Sequence, residues 1–261
     1  MTLMLDQLGE MAFAAGDLIL RFYKQPVRVT TKTDQSPLSE ADHASHEHLV
    51  NALARLEPRW PVISEESSAE EKTAGLPADR YWLVDPLDGT KEFLKGTDEF
   101  TVNIALIESR QPVIGVVVAP ALSLAYYASR SVGAWKRTRG EKSHPIRTRA
   151  AEPARMAVVA SKDHAGPQVS KLLAGIPGAE LKSMGSSLKF CLVAEGKADL
   201  YPRDLPTMEW DTAAAQCIVE AAGGLVCEWS GRPLRYGKKD LRNPAIMTVG
   251  DPRFAWQPLL D

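Results

Sequence analysis

With 261 residues the chain is long enough to bury a sizeable core, and we expect two closely joined parts rather than one undivided domain. A formal net charge of -2 excludes the strongly basic surface that binds nucleic-acid polymers, but it leaves small anionic ligands open. The three cysteines are odd in number and lack Cys-x-x-Cys spacing, which argues against a disulfide framework or a zinc ribbon and favours a reducing cytosol.

Two amphipathic helices are the first predicted elements. In the first, apolar residues recur at three- and four-residue steps, at Leu5, Leu8, Ala12, Ala15, Leu18 and Phe22. Acidic residues interrupt this segment and no basic region leads it, so we do not interpret it as a signal sequence. The second helix begins at SEAD, where Ser39-x-x-Asp42 has the form of a capping box, and it ends before Pro58.

Strand-like runs follow in the first part of the chain. They are Trp60–Ser64, Tyr81–Val84, Thr101–Ile107, Val113–Ala119 and Ala125–Ala128. Because short turns join the later runs, we expect an antiparallel meander packed against the two helices. The uncharged stretch 111–129 approaches the length of a membrane span, but prolines and a glycine interrupt it, so we interpret it as buried strand. Residues 130–149 carry seven Lys or Arg against one Glu and predict a turn-rich link, by default a solvated hairpin.

The pattern changes at about Met156 to an alternation of strands and helices. The order is strand AVVAS, helix, strand, helix SSLKFCLVAEG, strand ADLYPR, helix DTAAAQCIVEAAGG and strand LVCEW. Such alternation is typical of α/β structure. We therefore predict an N-terminal α+β half over residues 1–150 and a C-terminal α/β half over residues 151–261.

Two aspartates three residues apart end the apolar run in WLVDPLDGTKEF. Pro86 cannot donate a ladder hydrogen bond, so we expect the strand to end there, and Gly89 permits a turn that other residues resist. Asp85, Asp88 and the Leu87 carbonyl can then face one point, and hard cations such as magnesium take oxygen ligands of this kind. These residues alone leave open the alternative of a strand that ends in a solvated Asp-Pro turn.

Further carboxylates lie at other junctions between strands, loops and helices. Glu65 follows a short apolar strand in VISEES, and Asp211 stands where a helix begins in EWDTAAA. Taken singly, Glu65 is interpreted as a surface turn residue and Asp211 as a helix N-cap. Asp42 belongs to the capping box and can also stand behind the site. The histidines of the second helix favour a solvated face over a zinc site, because only one pair shares a side.

Together these motifs resemble the lithium-sensitive, magnesium-dependent inositol monophosphatase superfamily. The resemblance rests on SEES, WLVDPLDGTKEF and WDTAAA. Four more blocks resemble its branch of CysQ-type 3'(2'),5'-bisphosphate nucleotidases: SPLSEAD, DEFTVNIALIE, GSSLKFCLVAEGKADLYPR and EWDTAAAQCIVEAAGG. The likeness runs from about Lys32 to Asn243, and it departs from the family pattern in PTMEWD, at Met208 and Glu209. It implies a layered αβαβα fold.

The resemblance also implies roles for individual residues. Those it implies as ligands of two or more magnesium ions are Glu65, Asp85, Leu87 through its carbonyl, Asp88 and Asp211. The implied catalytic groups are Thr90 with Asp42 behind it, which position or deprotonate the attacking water, and Glu65. The implied substrate contacts are Glu65, Leu87, Asp88, Gly89, Thr90, His164, Ser186, Lys189, Arg203 and Asp211.

The function implied by the resemblance is a magnesium-dependent phosphatase that converts adenosine 3',5'-bisphosphate to AMP and phosphate, with its sulfated relative as a candidate second substrate. The alternative is an inositol monophosphatase or broad sugar phosphatase with the same metal site, and GSSLKF and YPR favour the nucleotidase. A non-catalytic metal-binding module is a third interpretation, although the aspartate spacing does not match an EF-hand loop. We expect a monomer or homodimer in the cytoplasm, either free or peripheral to the inner face of the cell membrane.

Overall fold

The computed structural model describes residues 3–26, 29–31, 37–76, 78–160 and 166–260. The α-helices in these ranges are α1 (Leu3–Phe22), α2 (Glu40–Leu53), α3 (Ala69–Gly75), α4 (Thr90–Lys95), α5 (Pro167–Ala174), α6 (Leu188–Ala194) and α7 (Glu209–Ala221). The two amphipathic helices predicted from apolar spacing are confirmed as α1 and α2. Leu5, Leu8, Ala12 and Ala15 are buried on one face of α1, as their spacing predicts.

A small ribbon and a large sheet form the first part of the molecule. The ribbon pairs β1 (Val29–Thr31) with β2 (Pro37–Ser39) in antiparallel orientation. The large sheet contains, in spatial order, β3 (Val62–Ser64), β4 (Arg80–Asp88), β5 (Thr101–Glu108), β6 (Gln111–Ala119), β7 (Leu124–Ser129), β8 (Gly133–Thr138) and β9 (His144–Pro145). Strands β3 and β4 are parallel and the following neighbours are antiparallel, which confirms the meander from β4 onward.

The hairpin predicted at residues 130–149 is confirmed as β8 and β9, but the prediction of a turn-rich link is wrong, because these strands extend the large sheet. The burial of β8 explains the error. Only one of its six residues is buried and the others are partly exposed, so the strand lacks the apolar alternation by which strands are recognised. The edge strand β9 is only two residues long and contains Pro145, which limits pairing with a further chain.

A second sheet follows in the C-terminal part. The remaining strands are β10 (Ala157–Val159), β11 (Glu180–Lys182), β12 (Leu200–Arg203), β13 (Thr207–Met208), β14 (Leu225–Glu228), β15 (Arg242–Asn243) and β16 (Ile246–Val249). Five of them form a mixed sheet in the order β11-β10-β12-β16-β14, while β13 and β15 form a separate ribbon. The predicted alternation of strands and helices is confirmed, and β13, β15 and β16 are additions that the sequence pattern did not indicate.

The side-chain alternation of the strands shows how the layers stack. In β4, Trp82 packs into the core beneath α1 and α2, whereas Leu83 points to the opposite core, which contains α6 and α7. In β10, Val159 faces that same central core, whereas Val158 packs with Leu172 of α5. The layers are therefore helix, sheet, helix, sheet, helix, which confirms the αβαβα fold.

Helix α7 joins the two parts of the chain. It lies against β4, β5, β6, β7 and β8 of the large sheet, although it belongs to the C-terminal part. It packs tightly on β6 at Gly115, where a Cβ atom would stand 2.2 Å from the Ala214 carbonyl oxygen. The central core is consequently continuous across residue 150, and the division at that residue stays a prediction.

The structure bears on two further expectations. Among the residues described, no helix has both the length and the apolar character needed to cross a membrane, and the stretch 111–129 forms β6 and β7. All three cysteines are buried and unpaired, in line with the absence of a disulfide framework. Oligomeric state and a peripheral membrane position stay predictions.

Candidate active site

A bulge at the end of β4 brings the first two aspartates together. Strand β4 does not end at Pro86, as we expected, but continues to Asp88. Its register against β5 shifts between Asp85, opposite Asn103, and Asp88, opposite Thr101, so the β4 side contains one extra residue. Residues three apart on a regular strand face opposite sides of the sheet, and the extra residue brings them back to one side.

Asp88 is fixed by a set of donors from two distant parts of the chain. Its Oδ2 accepts hydrogen bonds from the Ser187 backbone N–H at 2.7 Å and from the Ser187 hydroxyl at 2.9 Å. Weaker contacts at 3.4 Å come from the side chains of Thr101 and Asn103 on β5. The carboxylate therefore ties β4 to the start of α6. Sequence reasoning missed these partners, and the only signal was the polar pair Ser186-Ser187 before an apolar helix.

Asp211 reaches the same point from the start of α7. It is the third residue of the helix and not the N-cap that we predicted, because Met208 occupies the N-cap position. The Asp211 Oδ2 accepts the Met208 backbone N–H at 2.7 Å, and the Ser187 hydroxyl lies 3.0 Å from the Asp211 carbonyl. Ser187 thus contacts two of the predicted metal ligands.

Asp85, Asp88 and Asp211 form a carboxylate cluster, called here the acidic triad, in which each offers an oxygen within 4.8 Å of the others. Burial and the nearby carboxylates of Glu65 and Asp88 hold the pKa of Asp85 well above its usual range. Burial, Asp88 and Glu65 likewise raise the pKa of Asp211. Clustered carboxylates ionise together only when a cation lies among them, so the triad suits a divalent metal with oxygen ligands.

Glu65 lies beside the triad, at the turn after β3. Its backbone N–H donates to the Val84 carbonyl at 3.0 Å, which holds the turn against β4, and its carboxyl is hydrogen-bonded to that of Asp85. Lys72 of α3 donates to the Glu65 carbonyl at 2.6 Å and lies 4.9 Å from the centre of the Trp210 ring. Glu65 is therefore a fixed neighbour of the acidic triad and not the isolated surface residue that it resembled singly.

Asp42 and Thr90 form a hydrogen-bonded pair next to the bulge. The predicted capping interaction is present, because Asp42 Oδ2 accepts the Ser39 backbone N–H at 2.8 Å and the Ser39 hydroxyl at 2.6 Å. The Thr90 hydroxyl lies 3.2 Å from Asp42 Oδ1 and 3.3 Å from the Leu87 carbonyl. Asp42 thus uses one oxygen to start α2 and offers the other to Thr90.

Ser45, one turn after Asp42 on α2, was not predicted as part of the site. Its buried hydroxyl donates to the Pro86 carbonyl at 2.7 Å. This bond satisfies a carbonyl that the bulge removes from the regular ladder, so α2 supports the backbone between the two aspartates. The sequence does not indicate this role of Ser45, because a serine one turn into a helix is common.

A cleft of about 210 Å³ extends from the acidic triad towards the C-terminal part of the molecule. Its lining includes Asp88 and Asp211 of the acidic triad together with Ser186, Lys189 and Arg203. The structure therefore brings predicted metal ligands and predicted substrate contacts into one cavity. Thr207, Lys91 and Glu92 also line it.

The part of the cleft lining that comes from the C-terminal half has positive charge with few protein partners. Lys189 is only 8% exposed and, among the residues described, forms no ion pair, its ammonium lying 5.6 Å from the centre of the Tyr201 ring. Burial lowers the pKa of Lys189, while Asp88 acts in the opposite direction. Arg203 donates to the Leu205 carbonyl at 3.3 Å. Both cations are positioned to accept a further anionic partner, and we call this part the cationic end.

The backbone around Ser186 is strained and closely packed. Ser186 has a φ of 45°, and its buried hydroxyl has no hydrogen-bond partner in the described structure. At Gly185 a Cβ would stand 2.6 Å from the Glu99 carbonyl, so this loop needs glycine. Gly89, with a φ of 91°, begins α4 directly after the bulge. An unpaired buried hydroxyl in the lining of a cleft that also contains two cations indicates a place where a ligand supplies the missing acceptor.

The structure also shows the surroundings of Glu209 and of one histidine on α2. Glu209, which departs from the family pattern, is fully buried and accepts hydrogen bonds from Gly237 and Lys238, so it fixes the approach to Asp211. His164 lies outside the described residues. On α2, His46 Nδ1 lies 2.9 Å from the Ser64 hydroxyl and burial lowers its pKa, an arrangement that serves packing.

Comparison with known proteins identifies the family. The family model described as "Inositol monophosphatase family" matches residues 2–253. The chain belongs to the inositol monophosphatase family. It is 45% identical over 239 residues to the 3'(2'),5'-bisphosphate nucleotidase CysQ of Escherichia coli strain K12, covering 91% of this chain and 95% of that protein.

Solved structures of the inositol monophosphatase family support the same relationship. The crystal structure of CysQ from Bacteroides thetaiotaomicron, a bacterial member of the family, matches with a TM-score of 0.81 and 38% identity, covering 95% of this chain and 98% of that one. An inositol monophosphatase from Zymomonas mobilis matches with a TM-score of 0.77 and 24% identity, covering 98% and 95%. The second likeness shows the shared fold alone.

Proposed function

We propose that this member of the inositol monophosphatase family is a magnesium-dependent 3'(2'),5'-bisphosphate nucleotidase that hydrolyses the 3'-phosphate of adenosine 3',5'-bisphosphate. The products are AMP and phosphate, and the sulfated relative of this substrate is a second candidate. One observation carries the proposal: the acidic triad and the cationic end share one cleft. A substrate with two phosphates matches both ends, whereas inositol 1-phosphate has only one phosphate to offer.

The acidic end holds the reacting phosphate in this proposal. Glu65, Asp85, Asp88 and Asp211, together with the Leu87 carbonyl, hold two or more magnesium ions, which when bound activate water and neutralise charge on the leaving oxygen. The chemistry of the donors fits, because all are oxygen ligands. The hydrogen bonds to Asp88 from Ser187 keep that carboxylate in place before substrate arrives.

Thr90 and Asp42 handle the proton of the attacking water. The Thr90 hydroxyl accepts a hydrogen bond from the water while donating its own proton towards Asp42 Oδ1, at 3.2 Å. Asp42 is buried, and the Ser39 contacts on its other oxygen prevent it from turning away. This chain of donors aligns the water with the phosphorus atom and gives its proton a path to a carboxylate.

The cationic end holds the remaining phosphate and the nucleoside. Lys189 and Arg203 supply charge-assisted hydrogen bonds, and Ser186 supplies a hydroxyl without a partner in the described structure. We also place His164 among the nucleotide contacts, by family resemblance. Binding energy from this end fixes the substrate relative to the acidic triad, which is how contacts remote from the reacting bond raise its rate.

A substrate panel tests the proposed function. Phosphate release from adenosine 3',5'-bisphosphate, its sulfated relative and inositol 1-phosphate is measured with saturating magnesium. We expect kcat/KM to be highest for adenosine 3',5'-bisphosphate and the inositol substrate to be poor. A wild-type preference for inositol 1-phosphate would support the general phosphatase instead.

We further infer that lithium inhibits the enzyme, since a site of clustered carboxylate oxygens binds small hard cations and the family resemblance implies this property. Activity is measured in lithium chloride and in sodium chloride at matched ionic strength, so that screening is equal. Lithium should inhibit at concentrations where sodium does not. Equal responses to the two salts would contradict the inference.

A further inference from the structure

Thr207 lines the same cleft as Arg203 and Asp211, which stand before and after it in the chain. It belongs to β13 and pairs with Asn243 of β15. In the proposed function, the part of the substrate that passes this point is the sugar that joins the two phosphates.

The orientation of the neighbouring Asn243 amide is settled by its partners. Its Oδ1 lies 3.4 Å from the Lys238 ammonium, which can only donate. Its Nδ2 lies 2.7 Å from the Met208 carbonyl, which can only accept. The nitrogen therefore faces the cleft side, where its other contacts are the hydroxyl oxygens of Thr207 at 3.2 Å and Thr212 at 3.0 Å.

Lys238 is itself held in place from the other side. Its ammonium donates to Glu209 Oε1 at 2.6 Å and to the Arg235 carbonyl at 2.9 Å, besides its contact with Asn243. Each of the three N–H donors of the Lys238 ammonium thus has an acceptor. Glu209, which departs from the family pattern, therefore acts through Lys238 on Asn243. This chain of contacts determines which atom of the Asn243 amide faces Thr207.

The Asn243 nitrogen has two hydrogens, so the hydroxyls of Thr207 and Thr212 share the one that the Met208 carbonyl leaves. Because an amide nitrogen cannot accept, the single hydrogen of the Thr207 hydroxyl is directed elsewhere. Within the part of the chain that the structure describes, no acceptor for it lies at hydrogen-bond distance. Since Thr207 is partly exposed in the cleft wall, its donor is available to a bound molecule.

We propose that Thr207 determines specificity by donating a hydrogen bond to an oxygen of the sugar between the two phosphates, with Asn243, Lys238 and Glu209 orienting its hydroxyl. The inference rests on the proposed function. A substrate without a sugar has no oxygen for this donor, so Thr207 favours nucleoside bisphosphates over simple phosphate esters. A hydrogen bond in a partly enclosed cleft changes discrimination by about five- to thirty-fold.

The test compares T207V, which keeps the shape but removes the hydroxyl, with T207S, which keeps the hydroxyl. The quantity measured is the ratio of kcat/KM for adenosine 3',5'-bisphosphate to kcat/KM for phenyl phosphate, which has no sugar. We expect T207V to lower this ratio by about five- to thirty-fold and T207S to keep it within about two-fold. Thermal unfolding midpoints of both variants establish that each is folded.

Three outcomes would overturn the inference. They are an unchanged ratio in T207V, equal losses in T207V and T207S, and a parallel loss on both substrates, which indicates a structural role. The substrate preference of the wild type distinguishes failure of this inference from failure of the proposed function. If the wild type shows no preference for the bisphosphate, the proposed function fails and the inference fails with it; if the preference is present and T207V keeps it, only the inference fails.

Discussion

The acidic triad and the cationic end of the cleft differ in how the protein compensates their charge. The triad gathers like charges, but each of its members is held by hydrogen bonds from the backbone or from neighbouring side chains. At the cationic end, Lys189 is buried without an ion pair among the described residues, and Ser186 has an unpaired hydroxyl. The triad is therefore held by the protein and suits a cation, whereas the cationic end suits an anion.

This difference indicates how one cleft selects a substrate. An acidic cluster with bound cations recognises any phosphate, because phosphate oxygens complete the coordination of hard metals. Discrimination among phosphate esters must then come from the other end, where an unpaired buried cation gains most from a second anionic group. Variants at the triad should abolish turnover for all substrates, and variants at the cationic end should affect only some.

The largest effect is expected from Asp85→Asn. Asp85 is buried and lies between Glu65 and the other triad members, so losing its charge removes a ligand shared by the proposed metal ions. Turnover with saturating magnesium should fall at least about a hundred-fold, equivalent to roughly 2.7 kcal/mol of transition-state stabilisation. The loss should be similar for every phosphate ester.

Asp79→Asn, at an exposed aspartate, is the matched control and should keep full activity. Thermal unfolding without metal shows whether Asp85→Asn folds. We expect no loss of stability, because the substitution removes one of several repelling buried charges. Near-normal turnover of Asp85→Asn would contradict the assignment of the acidic triad as the metal site.

The next largest effect is expected from variants at the cationic end, and it should depend on the substrate, unlike the effect of variants at the acidic triad. Lys189→Ala and Arg203→Ala should each raise KM for adenosine 3',5'-bisphosphate by about 10- to 150-fold, the equivalent of roughly 1.5–3 kcal/mol for a lost charge-assisted hydrogen bond. Hydrolysis of inositol 1-phosphate should barely change, since it has no second phosphate. Steady-state kinetics on both substrates provides the comparison.

The exposed Lys142 offers a control for a general loss of positive charge, and Lys142→Ala should leave both substrates unaffected. If Lys189→Ala and Arg203→Ala lowered activity on the two substrates in parallel, the two ends would not be functionally separate. The selectivity argument would then have no support.

The smallest effect concerns the support of the bulge. Ser45→Ala removes the hydrogen bond to the Pro86 carbonyl and leaves a buried acceptor unsatisfied. We expect a loss of about 1–3 kcal/mol in the free energy of unfolding, measured with urea. Ser230→Ala, at an exposed serine, serves as the control. An unchanged unfolding midpoint in Ser45→Ala would show that α2 does not support the bulge.

Local periodicity predicted the main helices and strands well, whereas the layered αβαβα arrangement was implied by the family resemblance. The helices α1, α2 and α7 and the strands β4 to β7 have long apolar patterns, and these were confirmed. Strand β8 was missed because only one of its residues is buried and its second half is polar, and β9 because it has only two residues. We predicted that the strand ends at Pro86 because proline cannot donate a hydrogen bond in a regular ladder. Pro86 lies in a bulge, which accommodates proline without ending the strand pairing.

In the candidate site, too, the residues marked by local sequence motifs were predicted, whereas contacts between distant parts of the chain were not. Clustering of Asp85, Asp88 and Asp211 was anticipated, and the structure places them together. The partners that fix them were not anticipated, since Ser187 contacts Asp88 across 99 positions of sequence and Ser45 contacts Pro86 across 41. Ordinary serines acquire these positions through packing of separate elements, which no local pattern reveals.

A crystal structure with manganese and AMP would test the central claim most directly, namely that one end of the cleft holds cations and the other holds the second phosphate. Manganese replaces magnesium at oxygen sites and is located by its anomalous scattering. We predict manganese bound to the carboxylates of Asp85, Asp88 and Asp211, and the AMP phosphate within hydrogen-bond distance of Lys189 and Arg203. Manganese bound elsewhere, or an AMP phosphate on the acidic triad with both cations uncontacted, would contradict the account.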